Sequence, residues 1–384
     1  MQPTGILETA KATNPLKDLL TFGQSVWLDY IRRDLLTSGE LKRLIEEDGL
    51  RGMTSNPAIF EKAIADSTLY SDILQSLRSK PELDAKARYE ILAIRDIQDA
   101  ADHLRTVYDS SKRRDGYVSL EVSPYLARDT EGTLAEARRL WKTVARENVM
   151  IKVPGTTEGI PAFQQLISEG ININVTLLFS REVYKRVAEA YIAGLEQRAA
   201  RGGDVSKIAS VASFFISRID SATDALATER LKTSKDPQEQ EQLKSILGKV
   251  AIANGKQTYA SYQQIFSGAR WNALAAKGAQ TQRVLWASTS TKNPKYRDVM
   301  YVEELIGPDT VNTIPPATLD AFRDHGQPRA SLTEDVDAAN RTMETTAKVG
   351  ISMKEVTDKL TDDGVRLFAE AFDKLLAAVE KSSK

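Results

Sequence analysis

Eight short apolar runs, rich in β-branched and aromatic residues and separated by longer amphipathic stretches, constrain this chain more than any other feature of it. They are QSVWLDYI (24–31), LRGMTSN (50–56), GYVSLEV (116–122), VMIKVP (149–154), ININVTLLF (171–179), IASVASFFI (208–216), RVLWAST (283–289) and DTVNTIP (309–315). Strands alternating with helices make βα units and a parallel sheet. Eight such units suit an α/β chain closed into a (β/α)8 TIM barrel, about 250 residues long in its usual form and above 400 with insertions. The 384 residues therefore leave room for additions. Segments 57–115 and 217–282 are too long for single crossover helices and predict helical insertions, and the charged stretch KTSKDPQEQEQ (232–242) reads as a solvated part of the second. An open doubly wound sheet would present similar strands, but no GxGxxG fingerprint follows the first one. With no Gly/Ser-rich linker, the expected organisation is one barrel domain over 1–384, with an N-terminal helix at about 1–22 and a C-terminal helical extension at about 332–384.

Local signals place two helices. Thr133 and Glu136 have the T-x-x-E spacing of a capping box, ahead of Leu134, Ala137, Trp141 and Val144 on one helical face. Near the C-terminus Val365, Phe368, Phe372, Leu375, Leu376 and Val379 repeat at three and four residues, so the last helix should lay an apolar stripe on the body.

Composition removes several classes of function. With 41% hydrophobic and 27% charged positions the chain can build a large core without disulfide or metal staples. Its formal charge of -1 supplies no general field for nucleic acid or an anionic membrane, so recognition of an ion has to be local. The N-terminal stretch lacks the basic start and apolar core of a signal peptide, and no run approaches the roughly 18 apolar residues of a spanning helix, so a cytoplasmic location is expected. The absence of cysteine rules out thiolate chemistry, and the two histidines, His103 and His325, are too few for a three-histidine zinc site. His103 reads as a helix-face residue and His325 as part of a polar turn.

Polar residues interrupt the apolar runs at their C-terminal ends, which is where a barrel builds its active site. Asp29 closes the first run, Thr54 and Asn56 the second, Glu121 the third, Lys152 the fourth, Asn174 and Thr176 the fifth, Ser213 the sixth and Ser288 the seventh. Strand alternation puts Ile151 and Val153 on one face and Lys152 on the other, so helix-facing aliphatics would point the lysine into the barrel. A desolvated lysine can become a neutral amine that attacks a carbonyl and forms a Schiff base, whereas the charge of Asp29 or Glu121 would hold its proton. Taken singly, each residue has an ordinary use. Lys152 could form a structural salt bridge, Asp29 could cap a loop, and Asn56 before Pro57 could start a turn. Glu121 could pair with Arg128, and Thr176 could satisfy a carbonyl. As a set on successive strands they favour a site, because each buried polar group needs a partner.

The same residues resemble the transaldolase family over most of the chain. GMTSNPAIF (52–60) is similar to the family's early T-[ST]-N-P motif, and VMIKVPGTTEGIPAFQQL (149–166) to the motif around its Schiff-base lysine. VSLEVSP (118–124), INVTLLFS (173–180) and SFFISR (213–218) follow in the family's order.

The resemblance implies that Lys152 is the Schiff-base nucleophile, that Asp29 and Glu121 are acid/base groups, and that Thr176 positions a water. It implies that Thr54, Asn56, Asn174, Ser213 and Phe215 surround a dihydroxyacetone unit, and that Arg218 binds the sugar phosphate. The implied reaction transfers that unit from sedoheptulose 7-phosphate or fructose 6-phosphate to glyceraldehyde 3-phosphate or erythrose 4-phosphate. No metal or organic cofactor is implied, and the expected partners are sugar phosphates, with no nucleic acid or membrane, in a monomer or homodimer. Short members of the family carry Pro and Gly where this chain has Phe214 and Ser217, and an arginine after the seventh strand where it reads ASTSTKNP (287–294). Lys292, with Ser288 and Ser290, is expected to replace that phosphate contact. Two other readings are a Schiff-base aldolase that releases free dihydroxyacetone and a catalytically silent sugar-phosphate-binding barrel; by family resemblance Phe215 and Glu121 favour transfer.

Overall fold

Each apolar run contains a strand: β1 (Gln24–Asp29), β2 (Gly52–Thr54), β3 (Tyr117–Glu121), β4 (Val149–Pro154), β5 (Ile173–Leu178), β6 (Ser210–Phe215), β7 (Arg283–Ala287) and β8 (Thr310–Ile314). In a computed structural model describing residues 14–65 and 68–382, all neighbours pair in parallel and β8 returns to β1, closing the barrel. Closure removes both sheet edges, so the open doubly wound alternative does not apply.

The two long excursions are helical as expected. Residues 57–115 hold helices Pro57–Ala65, Ser71–Leu77, Ala85–His103 and Arg105–Ser110, while 217–282 hold Ser217–Thr233, Pro237–Ile246, Val250–Ile265 and Ala269–Ala275. The charged stretch 232–242 joins two of these, with Asp236 capping the second by accepting from Gln238 N–H. Of the expected N-terminal helix, Pro15–Thr21 is present and residues 1–13 lie outside the described residues. No helix among the described residues is long and apolar enough to cross a membrane.

The predicted capping box is not formed. The helix starts earlier, at Thr130, because Asp129 reaches back to accept from Gly132 N–H at 2.9 Å. Thr133 is then an interior residue that donates to the Leu126 carbonyl, and Glu136 accepts from Ser123 N–H just beyond β3. Three-residue spacing marks a shared helix face as well as a cap, and here the short carboxylate upstream supplies the cap.

At the N-terminal end of the barrel Arg283 and Asp115 form a buried pair at 2.7 Å, with Ser25 accepting from the guanidinium and donating to the carboxylate. The opposite mouth is crossed by the C-terminal helix, Met353–Ser382. Its apolar stripe packs as its periodicity predicts, with Phe372, Leu375 and Val379 buried and Phe372 edge-on to Tyr89 at 5.9 Å. Gly364 allows the close approach: a Cβ there would lie 2.9 Å from Leu177 Cδ2. Leu177 sits at φ +61° where the β5 register shifts, a bulge at the end of that strand next to the mouth.

Candidate active site

Residues in direct register on parallel strands point the same way. Glu121 pairs with Lys152 and Lys152 with Asn174, so β3, β4 and β5 present a carboxyl, an amine and an amide in a row. Asp29 pairs with Thr54 on the far side of this arc. Asp29, Thr54, Glu121 and Lys152 belong to the C-terminal halves of their strands, while Asn174 lies near the start of β5.

Lys152 is 5% exposed and points inward, as the alternation predicted. Its Nζ lies 3.4 Å from Glu121 Oε2, 3.3 Å from the Ser55 carbonyl to which it donates, and 5.8 Å from the centroid of the Phe368 ring. Arg128, the alternative partner considered for Glu121, instead pairs with Asp362 on the C-terminal helix. Burial pushes the Glu121 carboxyl up to about 7, against the pull of Lys152 and with a further push from Asp29. Burial also raises Asp29, opposed by Lys152, by the Thr54 hydroxyl that donates to it at 2.7 Å, and by Lys292. Two carboxyls whose proton affinity is raised toward neutrality are suited to exchanging protons with a bound reactant.

A cavity of about 180 Å³ opens above the amine. Its wall brings together Lys152, Asp29, Thr54, Asn56, Thr176, Ser213, Phe215, Arg218, Ser288 and Lys292, ten of the twelve residues singled out from sequence. The other two stand behind the wall. Glu121 borders a separate void of about 10 Å³ under Tyr89 and Phe372, and meets the site through Lys152. Asn174 donates to Ser119 Oγ at 3.0 Å and accepts from Ser213 Oγ at 2.7 Å, so its amide orients Ser213 instead of facing the cavity. Asn56 lines the cavity and also starts the next helix, its side-chain oxygen accepting from Ile59 N–H at 3.0 Å. The Thr176 hydroxyl is buried in the wall with no hydrogen-bond partner among the described residues.

At the rim, burial lowers the affinity of the Arg218 guanidinium for its proton, and this side chain makes no ion pair or hydrogen bond among the described residues. It lies over the Phe215 ring at 5.8 Å. Lys292 donates to Ser290 Oγ at 2.8 Å and has no carboxylate within ion-pair distance among the described residues. Two neighbouring cations without a paired anion make the rim a site for one.

Three participants were missed from sequence. Thr313 on β8 shares a 2.6 Å hydrogen bond with Thr54, and the strand-end rule applied to the eighth run would have found it. The Ser55 carbonyl gives no side-chain signal. Phe368 was read as packing stripe, and nothing local distinguishes it from Phe372. His103 and His325 do not line the cavity, and among the described residues no group of three or more His, Cys, Asp or Glu is placed to hold a metal ion.

The family model for transaldolase/fructose-6-phosphate aldolase matches residues 26–379. The chain belongs to this family. A transaldolase of Trichodesmium erythraeum is 50% identical over 376 residues, covering 97% of this chain and 98% of the relative. Transaldolase 2 of Nostoc punctiforme is 50% identical over 377 residues, with the same coverage of 97% and 98%. A transaldolase of Thiobacillus denitrificans is 48% identical over 366 residues, 95% of this chain and 99% of the relative. The family match runs from within β1 into the C-terminal helix of this transaldolase-family chain.

Proposed function

We propose that this chain is a transaldolase in which Lys152 forms the Schiff base. The observation that carries the reading is the position of its amine: buried inside a closed barrel, 3.4 Å from a carboxyl, at the floor of a cavity with two unpaired cations at its rim. A reactant held at one end by a phosphate on Arg218 and Lys292 places its carbonyl near the amine, and positioning of this kind removes much of the entropic barrier.

Neutral Lys152 adds to the ketone carbon of the donor ketose phosphate. Glu121, beside Nζ, donates the proton with which the carbinolamine oxygen leaves as water, forming an iminium. Asp29 takes the proton of the C4 hydroxyl, the C3–C4 bond breaks, and its electron pair is drawn toward the iminium nitrogen. An aldose phosphate departs and a three-carbon enamine stays on Lys152. The enamine carbon attacks the aldehyde of the acceptor, Asp29 returns its proton to the new alkoxide, and water held by Thr176 adds to the iminium and releases the product ketose. Phe368 supports this scheme by covering Lys152 with an aromatic face, which favours a cationic nitrogen and limits access of bulk water. We also read the chain as one domain, supported by a hydrophobic core continuous from Leu16 to Val379.

Borohydride reduction in the presence of fructose 6-phosphate, followed by peptide mapping, tests the proposal. A three-carbon adduct on Lys152, absent from Lys152→Ala, is expected. An adduct on another lysine overturns the site, and accumulation of free dihydroxyacetone without transfer to an acceptor overturns the transferase reading in favour of release.

A further inference from the structure

Lys292 lies on an exposed loop, and Arg218 repels it. A long cationic side chain on such a loop gains entropy and loses repulsion by swinging away, so something has to hold it near a second cation. The helix Ser217–Thr233, which presents Arg218 in its first turn, does so with a neighbouring face. Ser217, Asp220 and Asp224 recur at i, i+3 and i+7 on that face.

Ser217 fixes the start of the loop, its hydroxyl 2.9 Å from Ser288 Oγ and its N–H donating to the Ser288 carbonyl at 3.0 Å. Asp224 fixes the far side: one carboxylate oxygen accepts from Tyr296 O–H at 2.6 Å and the other from Gly248 N–H at 2.9 Å. Asp220 repeats the device one turn earlier, accepting from Tyr301 O–H at 2.8 Å and Ala251 N–H at 2.7 Å. Tyr296 reaches Asp224 across Gly248, where φ is +68° and a Cβ would lie 2.7 Å from the tyrosine ring. The loop carrying Ser290 and Lys292 is therefore fastened at both ends to the helix that carries Arg218.

We infer that Asp224 and Tyr296 are positioning residues: their hydrogen bond registers Lys292 against Arg218, so that two cations from different loops close on one phosphoryl group. Neither residue touches the reactant. The inference rests on the reading of Arg218 and Lys292 as the phosphate contact.

The experiment compares kcat/KM for glyceraldehyde 3-phosphate and for unphosphorylated glyceraldehyde as acceptors, with the donor saturating, in wild type, Tyr296→Phe, Lys292→Ala and the double variant. Tyr296→Phe is expected to reduce the preference for the phosphorylated acceptor by about three- to ten-fold, the effect of one ordinary hydrogen bond. That loss should fall on KM, and the variant should change nothing further in the Lys292→Ala background. Equal losses on both acceptors, or a loss that adds to that of Lys292→Ala, overturn the positioning role. Should Tyr296→Phe not fold, Asp224→Asn takes the same readouts with the same expectations. A wild-type enzyme with no preference for the phosphorylated acceptor overturns the phosphate-contact reading and this inference with it, whereas a preference fully retained by Tyr296→Phe overturns the inference alone.

Discussion

Replacing Glu121 by Gln removes an ionisable group while keeping the shape of the side chain. The folded carboxyl titrates near 7 because burial outweighs the attraction of Lys152, against an ordinary value of 4.5. Below pH 4.5 the group is protonated in both the folded and the unfolded chain and the two states are affected alike. As pH rises the unfolded chain ionises first, and the folded state loses about 1.4 kcal/mol per pH unit until its own carboxyl ionises near 7. Integrated between pH 5 and pH 8, the wild type loses about 2–3 kcal/mol that the glutamine variant keeps. The amide adds an offset that does not vary with pH, so the informative quantity is the difference between the two stability profiles as a function of pH, measured by urea denaturation at matched ionic strength. Glu121→Gln should gain on the wild type through that window and level off above pH 7, while turnover falls by about 10²–10⁴-fold through loss of the proton donor. A difference that stays flat from pH 5 to pH 8 would refute the argument, because it would mean that the carboxyl ionises as readily inside the barrel as in the unfolded chain.

Two further substitutions separate stability from chemistry. Thr176→Val replaces a buried hydroxyl that has no partner among the described residues, so chemical denaturation should show stability held or raised, by up to about 1–3 kcal/mol, while turnover drops at least about ten-fold; a clear loss of stability would show that the hydroxyl has a structural role. Arg283→Met breaks the buried pair with Asp115 at the opposite end of the barrel and should cost about 3–5 kcal/mol in urea denaturation, with kcat/KM of the folded enzyme unchanged; a selective loss of kcat/KM would link the two ends of the barrel.

Strand number, strand order and the inward-facing position of Lys152 were legible in the linear chain, because they depend on local regularities. Strand alternation shows which face of VMIKVP turns inward, and a polar residue at the end of an apolar run needs no distant partner to be noticed. Relations between segments were decided only by folding. Lateral register put Glu121 and Asn174 beside Lys152, yet behind the cavity wall, and it brought Thr313 of β8 to Thr54 of β2. The helix cap fell at Asp129 instead of Thr133, and Glu136 was taken up by Ser123 N–H. Phe368, more than two hundred residues from Lys152 along the chain, comes over the amine because Gly364 lets its helix settle on the β5 bulge. Side-chain chemistry and periodicity are properties of a segment, whereas the distance between an amine, its acids and its roof belongs to the packing of segments, and it takes a definite value only when the barrel closes.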